Sequence, residues 1–172
     1  MHSPLFEQRE TVFSPCLRYR YRLRQIWNPD LPLLCWLMLN PSTADQEKND
    51  PTVERCERRA RRTPGCGGVE IINIFAFRET SPELMKKQVD PVGPDNDRHI
   101  LEAASKALKV ICGWGIHGEH MGRGDQVVEM LTRAGILLYC LKQTSSGQPS
   151  HPLYIGYGVV PKLLKLRQQV VA

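Results

Sequence analysis

The sequence has no apolar run approaching the roughly 20 residues that cross a bilayer, which excludes a transmembrane helix. Its first ten residues carry Glu7 and Glu10 and no apolar stretch, so no secretory signal is expected there. None of the cysteines (Cys16, Cys35, Cys56, Cys66, Cys112 and Cys140) forms a Cys-x-x-Cys pair, which removes zinc-ribbon and thioredoxin-like readings. An iron–sulfur cluster would need four of these scattered residues to converge. Cys35, Cys112 and Cys140 lie inside apolar runs and read instead as small buried hydrophobes, and a reduced, cytoplasmic setting is the expectation. Also missing are a Gly-x-Ser-x-Gly elbow, a P-loop, a complete dinucleotide fingerprint, internal repeats and any interdomain linker.

What is present suffices for one domain spanning 1–172. At 41% hydrophobic the chain can fill a core. It carries 23 basic and 18 acidic residues, a net charge of +5, and 15 of the basic residues are arginine. Guanidinium groups grip phosphates bidentately, so this balance fits a nucleic acid or nucleotide partner. A soluble protein that is merely basic explains the charge about as well.

From Leu17 to Leu23 the residues alternate strictly, with Leu17, Tyr19, Tyr21 and Leu23 on one face and Arg18, Arg20 and Arg22 on the other. Arg24 continues the basic face. The pattern predicts a strand with one buried side, its arginines either blunting a sheet edge or facing an anionic ligand. Leu33 to Leu39, continuously apolar after the Asn28-Pro29-Asp30 turn, predicts a strand covered on both faces. Asp50-Pro51 supplies an N-cap and a first-turn proline for a helix reaching about Arg62. Its apolar stripe is Val53, Cys56 and Ala60, and Arg55, Arg58, Arg59 and Arg62 share the outer side. Further strands are predicted over Val69–Phe75, Val110–Cys112 and Ile136–Leu141. Helices are predicted near Pro82–Lys87, Asn96–Ala107, from Asp125 to Gly135, and over Pro161–Gln169 at the end of the chain.

Four apolar strands alternating with helices predict a three-layer α/β/α sandwich on a four-stranded parallel sheet, with an added N-terminal strand or hairpin. Ligands of such sheets bind beyond the carboxyl ends of the strands. The predicted strands lead there to Asn40-Pro41-Ser42, to Asn73, to Trp114-Gly115 and to His151-Pro152-Leu153-Tyr154. Singly, these residues read as turn formers, core or a cap. Together, at one sheet edge, they define a candidate site.

The Leu-Asn-Pro-Ser, Trp-Gly and His-Pro-Leu-Tyr motifs, spread over Arg18 to Leu164, resemble those of a bacterial and phage family of unknown function. The order of strands and motifs also resembles, more distantly, the uracil-DNA glycosylase superfamily. That resemblance implies that Asn40 positions the attacking water, Asn73 hydrogen-bonds the base and His151 stabilises the departing base. Phe75 or Trp114 would stack on the base. Two departures stand out. Asn40 is neutral where many members carry Asp, although mismatch-directed members also carry Asn. Leu153 and Tyr154 replace the Ser-Pro that wedges into duplex DNA, which counts against double-strand repair.

Cleaving an N-glycosidic bond develops positive charge on the sugar and negative charge on the base, so a placed water, a donor to the base and a stacking surface suffice. The sequence thus predicts a glycosylase-like enzyme acting on a nucleobase in DNA or in a nucleotide. Its rivals are a catalytically silent binding module with the same pocket and a small-molecule hydrolase or transferase. Phosphate contacts are expected from Arg18, Arg20, Arg22, Arg55, Arg59 and Arg123, the last from a Gly122-Arg123-Gly124 loop before a helix. Asp45 and Asp50 are candidate substitutes for the missing carboxylate, with stronger readings as a loop residue and a helix cap. His117-Gly118-Glu119-His120 lacks the helical spacing of a metal motif, and no metal or cofactor is expected.

Overall fold

The computed structural model describes residues 7–42 and 50–166. Asp45 therefore lies outside the described residues. The architecture is mixed α/β. A seven-stranded sheet runs β1 (Gln8–Phe13), β2 (Arg20–Ile26), β4 (Gly68–Asn73), β3 (Leu33–Met38), β5 (Lys109–Cys112), β6 (Leu138–Cys140) and β7 (Lys162–Leu163) in spatial order. The pairs β3/β4, β3/β5 and β5/β6 are parallel, whereas β1/β2, β2/β4 and β6/β7 are antiparallel.

Alternation along the central strands divides the core in two. Cys35 and Leu37 of β3, Ile72 of β4 and Val110 and Cys112 of β5 pack with Ile100 and Ala103 of α3 (Asn96–Lys106) and with Val127 and Leu131 of α4 (Arg123–Arg133). Leu34, Trp36 and Met38, Val69 and Ile71, and Ile111 pack on the other face against Val53, Cys56 and Ala60 of α1 (Pro51–Arg61). Period-two strands that are apolar on both sides require such cover on both faces. Helix α1 begins as its sequence predicts, with Asp50 Oδ1 accepting from Thr52 N at 2.7 Å and proline in the first turn. A short α2 (Pro82–Lys86) is capped by Ser81.

Two expectations are corrected. The strand expected from Leu17 starts at Arg20, because Leu17 is an exposed turn residue with φ of 60°. Phe13 then pairs with Arg20 and Val12 with Arg22, so Tyr21 is the extra residue of a β-bulge. The bulge breaks the alternation. Tyr21 stacks on His99 of α3 at 4.6 Å, whereas Leu23 belongs to the cluster on the α1 side. The helix expected over Pro161–Gln169 is replaced at its start by β7, which pairs antiparallel with β6. The unpaired edge of β6 offers backbone hydrogen bonds that outweigh local helix propensity there; residues 167–169 lie outside the described residues.

Candidate functional site

Parallel pairing continues past the strand ends. Ile74 N and Phe75 N donate to the carbonyls of Met38 and Leu39, and Glu79 N donates to Pro41 O at 3.1 Å. The segments after β3 and β4 are thereby held side by side. Between them, the N-terminus of α1 and the segments after β5 and β6, lies a cavity of about 450 Å³. Asn40, Asn73, Trp114 and His151 all line it, as do Arg20 and Asp50. The four strand-end residues singled out in the sequence thus meet at one edge of the sheet.

Their surroundings differ. The side-chain amide nitrogen of Asn40 donates to the carbonyls of Glu79 and Pro41, which leaves its Oδ1 without a donor among the described residues. Asn73 closes β4 and is 2% exposed. Its carbonyl accepts from Asn96 Nδ2 at 2.9 Å, but its own Nδ2 is buried without a partner among the described residues. A buried amide donor left unpaired costs about 1–3 kcal/mol, a cost a ligand acceptor would remove.

His151 precedes a 3-10 turn (Pro152–Tyr154), and its Nδ1 accepts from Leu153 N at 3.2 Å. An accepting Nδ1 places the proton on Nε2, so the neutral ring presents one N–H donor. Burial pushes the imidazole below its usual value near 6.5, with Asp50 opposing the shift, and the ring is neutral at pH 7. Arg59 holds the chain that follows: its guanidinium donates to the carbonyls of Ile155, Gly156 and Val159 at 2.8–3.1 Å.

Asp50 lines the cavity as well as capping α1, its second oxygen 3.5 Å from Ser42 Oγ. The cap that the sequence favoured is present, and the same carboxylate stands at the cavity wall. His117, considered in the sequence only as a metal ligand, stands at the cavity with Nδ1 2.8 Å from Lys86 Nζ. His120 instead lies beside the Phe75 ring, and no group of three or more metal-ligating side chains forms among the described residues. Glu79 also lines the cavity. No motif marks it, since its place follows from its contacts with Asn40 and Pro41, distant in sequence.

Several candidate residues are used elsewhere. Phe75 is fully buried in the core on the α3 and α4 side and offers no ring face to a base. Trp114 is 2% exposed, and its Nε1 donates to Gln148 Oε1 at 2.7 Å. Its indole leans on two glycines: a Cβ at Gly118 would stand 2.0 Å from Trp114 Cδ1, and one at Gly124 2.9 Å from Nε1. In the Gly122-Arg123-Gly124 segment, Gly124 therefore serves packing, whereas Gly122, with φ of 63°, serves chain reversal. Arg123 is buried, donating to Ile74 O, Gln126 and Asp97, so it faces no external phosphate. Arg22 is likewise internal, paired with Glu70 at 2.6 Å and with Glu102. Arg55 donates to Ile155 O and lies over the Tyr157 ring at 4.6 Å, beside Arg59 and Arg62. Of the six expected phosphate contacts, Arg18 is exposed and Arg20 alone lines the cavity. Tyr154, three residues past His151, is 90% exposed.

A mixed α/β protein with a cavity at the carboxyl edge of its sheet, apolar over much of its wall and set with a few polar side chains, is the class these features define. The chain belongs to a family described as proteins of unknown function (DUF1643), whose model matches residues 20–153. Comparisons with curated proteins and with solved structures give no match.

Proposed function

We propose that the cavity binds a nucleobase compound and hydrolyses its N-glycosidic bond. The observation that carries this reading is the Asn73 amide, buried and unpartnered among the described residues, on a residue that lines the same cavity as a neutral His151 and Asn40, whose Oδ1 has no donor among those residues. In the proposed reaction Asn73 donates to a base carbonyl and Asn40 Oδ1 holds a water against the sugar. The C1′–N bond breaks with its electron pair passing to the base, whose growing negative charge accepts from His151 Nε2–H. Water oxygen bonds C1′, and its proton leaves toward Asp50, whose negative charge also favours the cationic sugar. Asp50 thus fills the electrostatic role that a neutral Asn40 leaves vacant.

The same reading takes the fold as a three-layer sandwich around four parallel strands with an N-terminal hairpin. Cover of the sheet by α1 on one face and by α3 and α4 on the other supports it. The rival, a silent binding module, is favoured by one observation: both Asp50 oxygens already accept hydrogen bonds, from Thr52 N and from Ser42.

Single-turnover base release from nucleosides, nucleotides and single- and double-stranded oligonucleotides separates the two. Release by the wild type, reduced on the order of 10²-fold in His151→Ala with binding little changed, is the expected result. Binding without release from any substrate assigns the module. A fully active His151→Ala removes the leaving-group role.

A further inference from the structure

We propose that the cavity is a mononucleotide site in which Arg20 holds the phosphate of the same ligand whose base Asn73 reads. The inference rests on the base-binding reading above and adds a second subsite to it. It begins at the bulge. By strict alternation Arg20 would share a face with Arg22 and Arg24, which both pair with the buried Glu70. The extra residue at Tyr21 turns Arg20 the other way, into the cavity. Bulges that re-aim one side chain are a recurring device beside binding sites.

Arg20 is also tied to the base pocket. Its backbone N donates to Ala76 O at 3.0 Å, three residues past Asn73. Through its side chain it makes no hydrogen bond or ion pair among the described residues, unlike Arg22, Arg24, Arg59 and Arg123. Burial lowers its guanidinium to about 10, with Asp50 opposing and Arg78 adding repulsion, so it remains charged at neutral pH. A half-buried, unpaired guanidinium is costly, and a phosphate satisfies its planar fork with two parallel bonds.

The cavity volume falls in the range of about 300–1,000 Å³ typical of small-ligand sites. Asp50 and Glu79 line the same space, and their carboxylates disfavour a second phosphate. One phosphate suits it. An extended strand is poorly served, because Arg22, Arg59 and Arg123, three of the arginines expected to follow a backbone, are consumed inside the protein. The phosphate oxyanion chemistry is common to a free nucleotide and a strand, and binding assays tell them apart.

Isothermal titration of the wild type, Arg20→Gln and Arg20→Lys with ribose 5-phosphate, nucleosides, their 5′-monophosphates and a short single-stranded oligonucleotide is the test. In the wild type the monophosphate should bind about tenfold or more tightly than its nucleoside. Arg20→Gln should erase that advantage and the binding of ribose 5-phosphate, and Arg20→Lys should keep part of both. Equal wild-type affinities for nucleoside and monophosphate overturn the proposal without reference to any variant. So does an advantage that survives Arg20→Gln, or an oligonucleotide bound more than about tenfold tighter than the monophosphate. If ribose 5-phosphate binds through Arg20 while no nucleoside binds, the anion subsite stands and the base reading falls. If neither binds, both fall.

Discussion

Asn73 and His151 line one cavity through opposite logic. Asn73 carries a donor without a partner among the described residues, whereas His151 spends one ring nitrogen on the backbone and, in the proposed site, offers the other to the ligand. Removing the Asn73 amide should relax base choice rather than abolish binding, since a site that no longer offers an unpaired donor stops rejecting the wrong edge. Affinities of Asn73→Ala for a panel of nucleotides should therefore converge. His151 sets a pH dependence with a definite sign. Its folded-state value is lowered by burial, so the proton is bound more weakly in the folded protein than in the unfolded one. The stability it contributes is full above about 6.5 and is lost as pH falls through the folded value. His99, lowered chiefly by burial with Arg98 assisting, adds in the same direction. Base release should fall over the same acid range, because a protonated Nδ1 no longer accepts from Leu153 N. A denaturation midpoint and a rate that both stay constant from pH 7 to 4.5 would contradict this assignment.

Among the elements, α1 does more than cover the sheet. Asp50 at its start faces the cavity, and Arg59 in its last turns grips the chain after His151 through three carbonyls. The basic face expected to meet phosphates is largely a clamp, with Arg55, Arg59 and Arg62 gathered around Tyr157. Arg59→Ala leaves the Gly156 and Val159 carbonyls without a charged donor, while Ile155 O keeps Arg55, and should cost about 2 kcal/mol, read as a lower urea midpoint. Because the clamp positions the His151 turn, any base release should fall in the same variant, while Arg58→Ala, an exposed neighbour, should change neither. Equal stability of Arg59→Ala and wild type would show that the clamp is energetically idle.

Across the whole molecule, the cavity occurs where the sheet's parallel strands, the antiparallel β2 and the N-terminus of α1 come together, so its walls depend on packing far from any motif. Arg123 is the clearest case. Buried at the start of α4, it ties that helix to Ile74 O beyond β4 and to Asp97 in the first turn of α3. Arg123→Met should destabilise the protein by about 2 kcal/mol, because the Ile74 carbonyl loses its charged donor and keeps only Asn96 Nδ2, and the ion pair with Asp97 is lost. The measurement is a chemical denaturation curve, with an unchanged midpoint as the contrary outcome. Nucleotide binding at saturating protein should survive, because Arg123 does not line the cavity.

Much of this was legible along the chain. Local and periodic signals suffice for Asp50-Pro51 opening α1, for the doubly apolar β3 and β4, and for polar residues at the strand ends, because they depend on neighbours a few residues away. Parallel topology then brings Asn40, Asn73, Trp114 and His151 to one edge. What stayed hidden depends on partners distant in sequence. The bulge at Tyr21 that separates Arg20 from Arg22 is set by pairing with β1, and β7 forms because β6 has a free edge. An arginine looks the same in the sequence whether it meets phosphate, a carbonyl or a glutamate; only the fold brings Glu70 to Arg22, Asp97 to Arg123 and open cavity to Arg20. Residue type and period determined the elements and the polar edge. The tertiary structure decided which charges are spent on folding and which stand at the cavity, because a buried charge takes the partner that packing brings within reach.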